Sequence, residues 1–310
     1  RCDKLTEKRT PMVISSFSAL KSRLQHLSPR EAVVAAAHDE HTLQAVFAAR
    51  RDGLIRPILV GRRNEIRSIA RSLGEELSPE QIVDAQDDLE CAARSVALIR
   101  EGKGDILIKG MLQTGTLLKA VVHRETGIRA SQVMSHVAIL DVPRYHKLLF
   151  ITDGGMVVAP NLEQKGHILK NAVDFCRFLG YERPKAAALC AVETVNPAMP
   201  ETGDALSLKE AGERGEFGPC IVEGPISLDL ATDREAALVK GYHSPVAGDA
   251  DILLVPAIAV GNVLGKALYG LAGGQMAGVV LGAAVPITIN SRGATPEEKY
   301  YSILLCAAMD

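Results

Sequence analysis

The sequence predicts an α/β protein built around a largely parallel sheet, on three observations. From residue 31 onward, short β-branched apolar runs alternate with longer segments of helical spacing, the pattern of successive βαβ units. Runs such as those at 279–281 and 287–289 are short, uncharged and rich in β-branched residues, as expected of buried strands. The 310 residues are 47% hydrophobic and 23% charged, enough to build two packed units.

In chain order, residues 1–30 read as an N-terminal extension containing a helix. Strands are predicted at 33–36, 57–60, 106–109, 133–140, 148–152, 186–191, 252–256, 279–281 and 287–289. Helices are predicted at 41–51, 64–72, 89–100, 116–124, 164–178, 205–214, 234–240 and 260–271, with a last helix opening at Thr295. Residues 272–289 are nearly free of charge and long enough to suggest a membrane span. Gly273, Gly274, Gly278, Gly282 and Pro286 break this stretch into short pieces, so it reads as buried strands instead. The pattern is interrupted by the polar stretch 141–147 around Pro143 and again near 282–286. These interruptions place a discontinuous first domain at 31–144 plus 284–310 and a second at 145–283.

A net charge of −2 offers no global positive field for nucleic acid or an anionic membrane. The six cysteines are dispersed, with no C-x-x-C pair, which predicts reduced thiols, with Cys176 and Cys190 in the core. The first eleven residues alternate in charge and lack the apolar stretch of a signal peptide. A cytoplasmic location is the expectation.

Chemistry concentrates near the C-terminus. The segment from Pro286 to Gly293 reads as a strand running into a polar loop, and ligands of open α/β sheets bind at such strand ends. Ser291 brings a hydroxyl, Arg292 a guanidinium fork suited to phosphate oxygens, and Glu298 a carboxylate one turn into the following helix. The helix start adds amides that attract anions. Thr295-Pro-Glu-Glu298 is also a capping box, so a purely structural role for Glu298 stands beside the chemical one.

Thr194 and Asn196 could bond phosphate or an acyl oxygen, or simply form the turn before Pro197. Asp229 and Asn262 fit either a site or a cap, and Lys109 either faces the cleft or ends its strand. His38 and His41 have i,i+3 spacing but no third ligand at a telling distance, so no metal site is predicted. The glycine-rich stretch 270–282 lacks G-x-G-x-x-G, which disfavours a dinucleotide site.

Several blocks in order resemble the phosphate acetyl/butyryltransferase family, especially its butyryltransferase-like branch. They are Lys109-Gly110 with Gln113-Thr-Gly115, Ile151-Thr-Asp-Gly-Gly155, Val192-Glu-Thr-Val-Asn-Pro-Ala-Met-Pro200, Gly224-Pro-Ile-Ser-Leu-Asp229, Val246 through Pro256, Gly261-Asn262 and Ser291-Arg292. The resemblance implies two α/β/α domains of the isocitrate/isopropylmalate dehydrogenase-like fold, a homodimer, and an active site in the interdomain cleft. It further implies reversible transfer of an acetyl, propionyl or butyryl group between coenzyme A and phosphate. Coenzyme A is then a substrate, and no bound cofactor is expected.

By this resemblance Ser291 and Arg292 lie beside the reacting groups, and Glu298, seven positions after the serine, is the base for the CoA thiol. The acetyltransferase branch has Asp at the base position and a further phosphate-binding Arg within 260–275, where this chain offers Lys266. Thr194, Asn196, Asp229 and Asn262 join Lys266 as candidates for phosphate or acyl binding. Lys109 and either Arg124 or Arg129 are the candidates for CoA. Two alternatives remain: a metal- and NAD-dependent dehydrogenase of the same superfold, and an inactive CoA-binding module.

Overall fold

The computed structural model describes residues 14–23 and 28–309. The first half of the chain comprises α1 (Phe17–Arg23), β1 (Arg30–Ala35), α2 (Glu40–Arg51), β2 (Ile55–Gly61), α3 (Arg63–Ser72), β3 (Ile82–Asp84), α4 (Asp88–Arg100), β4 (Ile106–Lys109) and α5 (Thr114–Val121). Then follow β5 (Ser135–Asp141), β6 (Leu149–Thr152), α6 (Leu162–Phe178), β7 (Lys185–Leu189), α7 (Pro200–Glu213), β8 (Ile221–Ile226), α8 (Leu228–Thr232) and α9 (Arg234–Val239). The chain closes with β9 (Ile252–Leu254), α10 (Ile258–Gly270), β10 (Gln275–Leu281), β11 (Ile287–Thr288) and α11 (Pro296–Ala307).

All eleven strands join one sheet in the order β3-β2-β1-β4-β11-β10-β5-β6-β9-β7-β8. The charge-poor stretch that raised the membrane question became β10 and β11 at its centre, and no described helix is long and apolar enough to cross a membrane. Two strands escaped the sequence reading, and both are edges. β3 has only three residues, and β8 carries Gly224-Pro225, which is tolerated where no second neighbour needs the missing N–H. Helix α7 begins five residues before the predicted start, with Pro200 at its first turn.

Ile14, Phe17 and Leu20 belong to the core. Phe17 is fully buried and stacks on Tyr301, and its backbone N–H donates to Asp141 Oδ2 at 3.2 Å.

Strand direction decides where the site sits. β11 runs parallel to β4, whereas β10 is antiparallel to both β11 and β5, and β6 is antiparallel to β5. β9 and β7 follow β6, so β6, β9, β7 and β8 run opposite to β4 and β11. One sheet face carries a continuous core under α2, α6, α7 and α11, including Val34, Val137, Phe150 and Val279. On the other face the core is split. Val33, Leu107, Val280 and Ile287 pack under α4 and α5, while Leu140, Leu149, Ile151 and Leu253 pack against α8, α9 and α10. His136 and Gly278 lie on the sheet between these two cores, the imidazole Nε2 standing 2.7 Å from where a Cβ on Gly278 would be. Only glycine leaves room for that ring.

Candidate active site

The short strand β11 delivers the chain to a loop held at both ends. Asn290 is buried, and its side-chain amide donates to Ser302 Oγ at 2.9 Å and to the Glu298 carbonyl at 3.4 Å. Lys109 Nζ donates to the carbonyls of Gly110 at 3.2 Å and Asn290 at 3.3 Å, tying the end of β4 to the end of β11. At the far end of the loop, His41 Nδ1 lies 3.2 Å from the Ala294 carbonyl. Between these anchors Ser291 and Arg292 are exposed.

Lys109 is buried, and burial lowers its pKa from 10.5 to about 8, with the charges of Lys299 and Arg292 adding to the effect. Burial also lowers the pKa of Lys299, against the pull of Asp39 and Glu298. Lys109, Lys299 and Arg292 thus gather positive charge where β4 and β11 end, beside the start of α11. Such a combination attracts an anion.

Glu298 satisfies both sequence readings at once. Its Oε2 accepts the Thr295 N–H at 2.7 Å while Thr295 Oγ1 accepts the Glu298 N–H at 3.2 Å, completing the capping box. The same Oε2 also accepts the Tyr269 hydroxyl at 3.2 Å. Among the described residues Oε1 has no hydrogen-bond partner. A carboxylate offers about four acceptor positions, so the cap leaves an oxygen for other chemistry.

Helix α10 packs on the opposite sheet face from α11, and its last turn reaches the site. At 1.5 Å per residue it is roughly 20 Å long, and it opens beside the end of β6, where Gly261 and Gly154 pack backbone to backbone and Asn262 Nδ2 donates to the Gly154 carbonyl at 3.3 Å. Neighbouring Asp153 accepts the N–H groups of Gly155, Met156 and Val157 at 2.7–3.2 Å, so the Asp-Gly-Gly block folds around its own carboxylate. Asn262 and Lys266 are exposed, and Tyr269 continues their stripe at helical spacing toward Glu298.

The remaining sequence candidates lie elsewhere. Thr194 and Asn196 are exposed on the loop after β7, where Asn196 Oδ1 accepts the Ala198 N–H at 2.9 Å and its own N–H bonds Thr202 Oγ1 at 2.9 Å, the turn that its sequence suggested. Asp229 is exposed and pairs with Lys240 at 2.8 Å, which together with Ser227 holds its carboxyl down at about 2. All three follow strands that run opposite to β11. Arg124 and Arg129 are exposed, and Arg129 bridges to Ala283 at the end of the sheet where β11 begins, away from Ser291.

Beside the first turns of α10 lies an apolar cleft of about 630 Å³ lined by Leu189, Ala191, Leu228, Val260 and Val263. Cys190 also lines it and is only half-buried, a correction to its expected place in the core, whereas Cys176 is fully buried as expected. Among the described residues, no group of three or more His, Cys, Asp or Glu side chains is arranged to hold a metal ion.

The chain is similar to known proteins in sequence and in fold. The pattern described as phosphate acetyl/butaryl transferase matches residues 90–307. The chain belongs to the phosphate acetyl/butyryl transferase family. It is 38% identical to the phosphate butyryltransferase of Clostridium acetobutylicum over 295 residues, covering 95% of this chain and 98% of that protein. It is 39% identical to the phosphate acetyltransferase of Thermotoga maritima, covering 90% and 94% of the two chains. A branched-chain phosphotransacylase from Enterococcus faecalis superposes with a TM-score of 0.78 at 32% identity, over 90% of this chain and 98% of that one. The 4-hydroxythreonine-4-phosphate dehydrogenase of Klebsiella pneumoniae, with a TM-score of 0.52 and 16% identity over 91% and 100% of the chains, shares the fold alone. The dehydrogenase-like fold of this transferase family member is therefore as expected.

Sequence reasoning missed Tyr269, Lys299 and His136. Tyr269 had a visible signal in its spacing from Asn262 and Lys266. Lys299 and His136 had none, because nothing local marks a lysine or histidine for burial.

Proposed function

We propose that this family member transfers a short acyl group reversibly between coenzyme A and inorganic phosphate, within a ternary complex. The observation that carries the reading is the buried carboxylate of Glu298, held through one oxygen and without a hydrogen-bond partner on the other among the described residues, next to the loop that presents Ser291 and Arg292. In the direction of thioester synthesis, Glu298 Oε1 takes the thiol proton. The thiolate sulfur forms a bond to the acyl phosphate carbonyl carbon, and the collapsing tetrahedral intermediate breaks the carbon–oxygen bond to phosphate, which leaves with the electron pair. Arg292 and Lys266 offset charge on the phosphate, and Ser291 donates to the developing oxyanion. Lys109 supports the loop and lends positive charge to the CoA side.

Acetyl-, propionyl- and butyryl-CoA are the candidate donors. The reading includes division of the chain at 144/145 and 283/284 with the site between the two parts, and a homodimer in the cytoplasm. The free cysteines among the described residues suit a reducing compartment, and exposed Leu238, Val239 and Val263 offer apolar surface to a second copy. The test is phosphate-dependent release of CoA from the three thioesters, followed as free thiol, with initial rates varied in both substrates. Intersecting patterns are expected. Parallel lines with a trapped acyl-enzyme would replace direct transfer by a covalent nucleophile.

A further inference from the structure

Tyr269 stands on the last turn of α10, and its hydroxyl reaches across to Glu298 on α11. The oxygen it meets, Oε2, already accepts the Thr295 N–H at 2.7 Å, so both donors converge on one atom. A carboxylate held by a single donor remains free to turn about its terminal torsion, which is broad and two-fold. Two donors from different helices, at 2.7 and 3.2 Å, remove that freedom and prevent the two oxygens from exchanging places.

Among the described residues no donor competes for Oε1. Lys299 is buried beside Glu298 and is shared electrostatically with Asp39. Glu297 turns the other way, toward Gln275 and Tyr301. Asn262 and Lys266 lie on the same stripe of α10 as Tyr269. One helix therefore carries Asn262, Lys266 and the hydroxyl that bonds the carboxylate.

We infer that Tyr269 is a positioning residue, which locks Glu298 through Oε2 so that Oε1 is held ready to accept the thiol proton. This rests on the acyl-transfer reading. Tyr269→Phe keeps the ring and removes only the donor. Compared by kcat, KM and melting temperature, the Phe variant should lose roughly tenfold in kcat, with KM for both substrates and the melting temperature unchanged. In the Glu298→Gln background the same substitution should cost nothing further, because the group it positions no longer accepts a proton. A wild-type kcat in the single variant overturns the proposal, as does an equal loss in both backgrounds.

The pairing can also be read without turnover. The Glu298 charge, then partial burial and the shared hydrogen bond, push the Tyr269 phenol above its usual pKa. Glu298→Gln should let one of the six tyrosines ionise at lower pH, seen as tyrosinate absorbance, and the change should vanish when Tyr269 is Phe. Absence of that change overturns the pairing itself. If wild-type protein releases no CoA with phosphate while the tyrosinate change is present, the acyl-transfer reading fails and takes the positioning role with it, leaving only the contact.

Discussion

Glu298→Gln separates proton transfer from helix capping because in the proposed mechanism these tasks fall to different oxygens. The glutamine amide oxygen can occupy the place of Oε2, accepting the Thr295 N–H now at 2.7 Å and the Tyr269 hydroxyl now at 3.2 Å. What stability loses is the attraction of a negative charge to the helix N-terminus, about 0.3–1 kcal/mol. Glu298→Ala would in addition remove the acceptor for the Thr295 N–H and so cost more stability than the Gln variant. The rate loses a general base, worth about 10²–10⁴-fold. Acyl phosphate and CoA are mixed at pH 7 and thioester formation is followed, with chemical denaturation run in parallel. Raising the pH from about 7 to 8.5 brings a thiol of pKa roughly 8.5 from a few per cent thiolate to half, so the variant should recover roughly 15-fold. Near-normal turnover of the Gln variant at pH 7, or no recovery in alkali, would refute the assignment of Glu298 as base.

Arg292→Lys keeps the charge but loses the fork, so turnover with phosphate should fall more than tenfold while KM for CoA changes little; parallel losses would place Arg292 outside the phosphate site. Lys109 has a pKa of about 8 in the fold against 10.5 ordinarily, so between those values the unfolded chain binds more protons and stability rises with pH. That contribution is of order 3 kcal/mol between pH 8 and 10.5. Lys109→Met should abolish it, whereas denaturation curves of the two proteins that shift in parallel with pH would show that Lys109 is not buried as a cation. Asp249 is held well below the carboxylate range by Lys147, Lys185 and His146 despite partial burial. It therefore stabilises the fold above about pH 4 and ceases to as the carboxylate protonates. Asp249→Asn should lower the melting temperature at pH 7, with the gap closing as the pH falls, and a constant gap would count against the ion pairs.

The sequence alone determined what depends on near neighbours. Alternation of β-branched runs with helical spacing was enough for the class of fold, because each element buries its own apolar face. Thr295-Pro-Glu-Glu298 specified a capping box whose partners are three residues apart, and it formed as written. The ordered blocks of the transferase family also belong to the linear chain, which is why the reaction class was legible before any coordinates.

Tertiary structure decided whatever joins distant segments. The edge strands β3 and β8 are strands because a neighbour supplies their hydrogen bonds, not because of their own residues. Lys109 became a clamp on a carbonyl 181 positions away, and its lowered pKa comes from burial that no local pattern encodes. The oxygen of Glu298 that caps the helix also accepts a hydroxyl from Tyr269, 29 positions earlier on another helix. Strand direction likewise set Thr194, Asn196 and Asp229 beyond strands that run opposite to the one carrying Ser291. Sequence order cannot carry that information, because the antiparallel pairing of β10 with β5 and β11 exists only once the sheet has assembled.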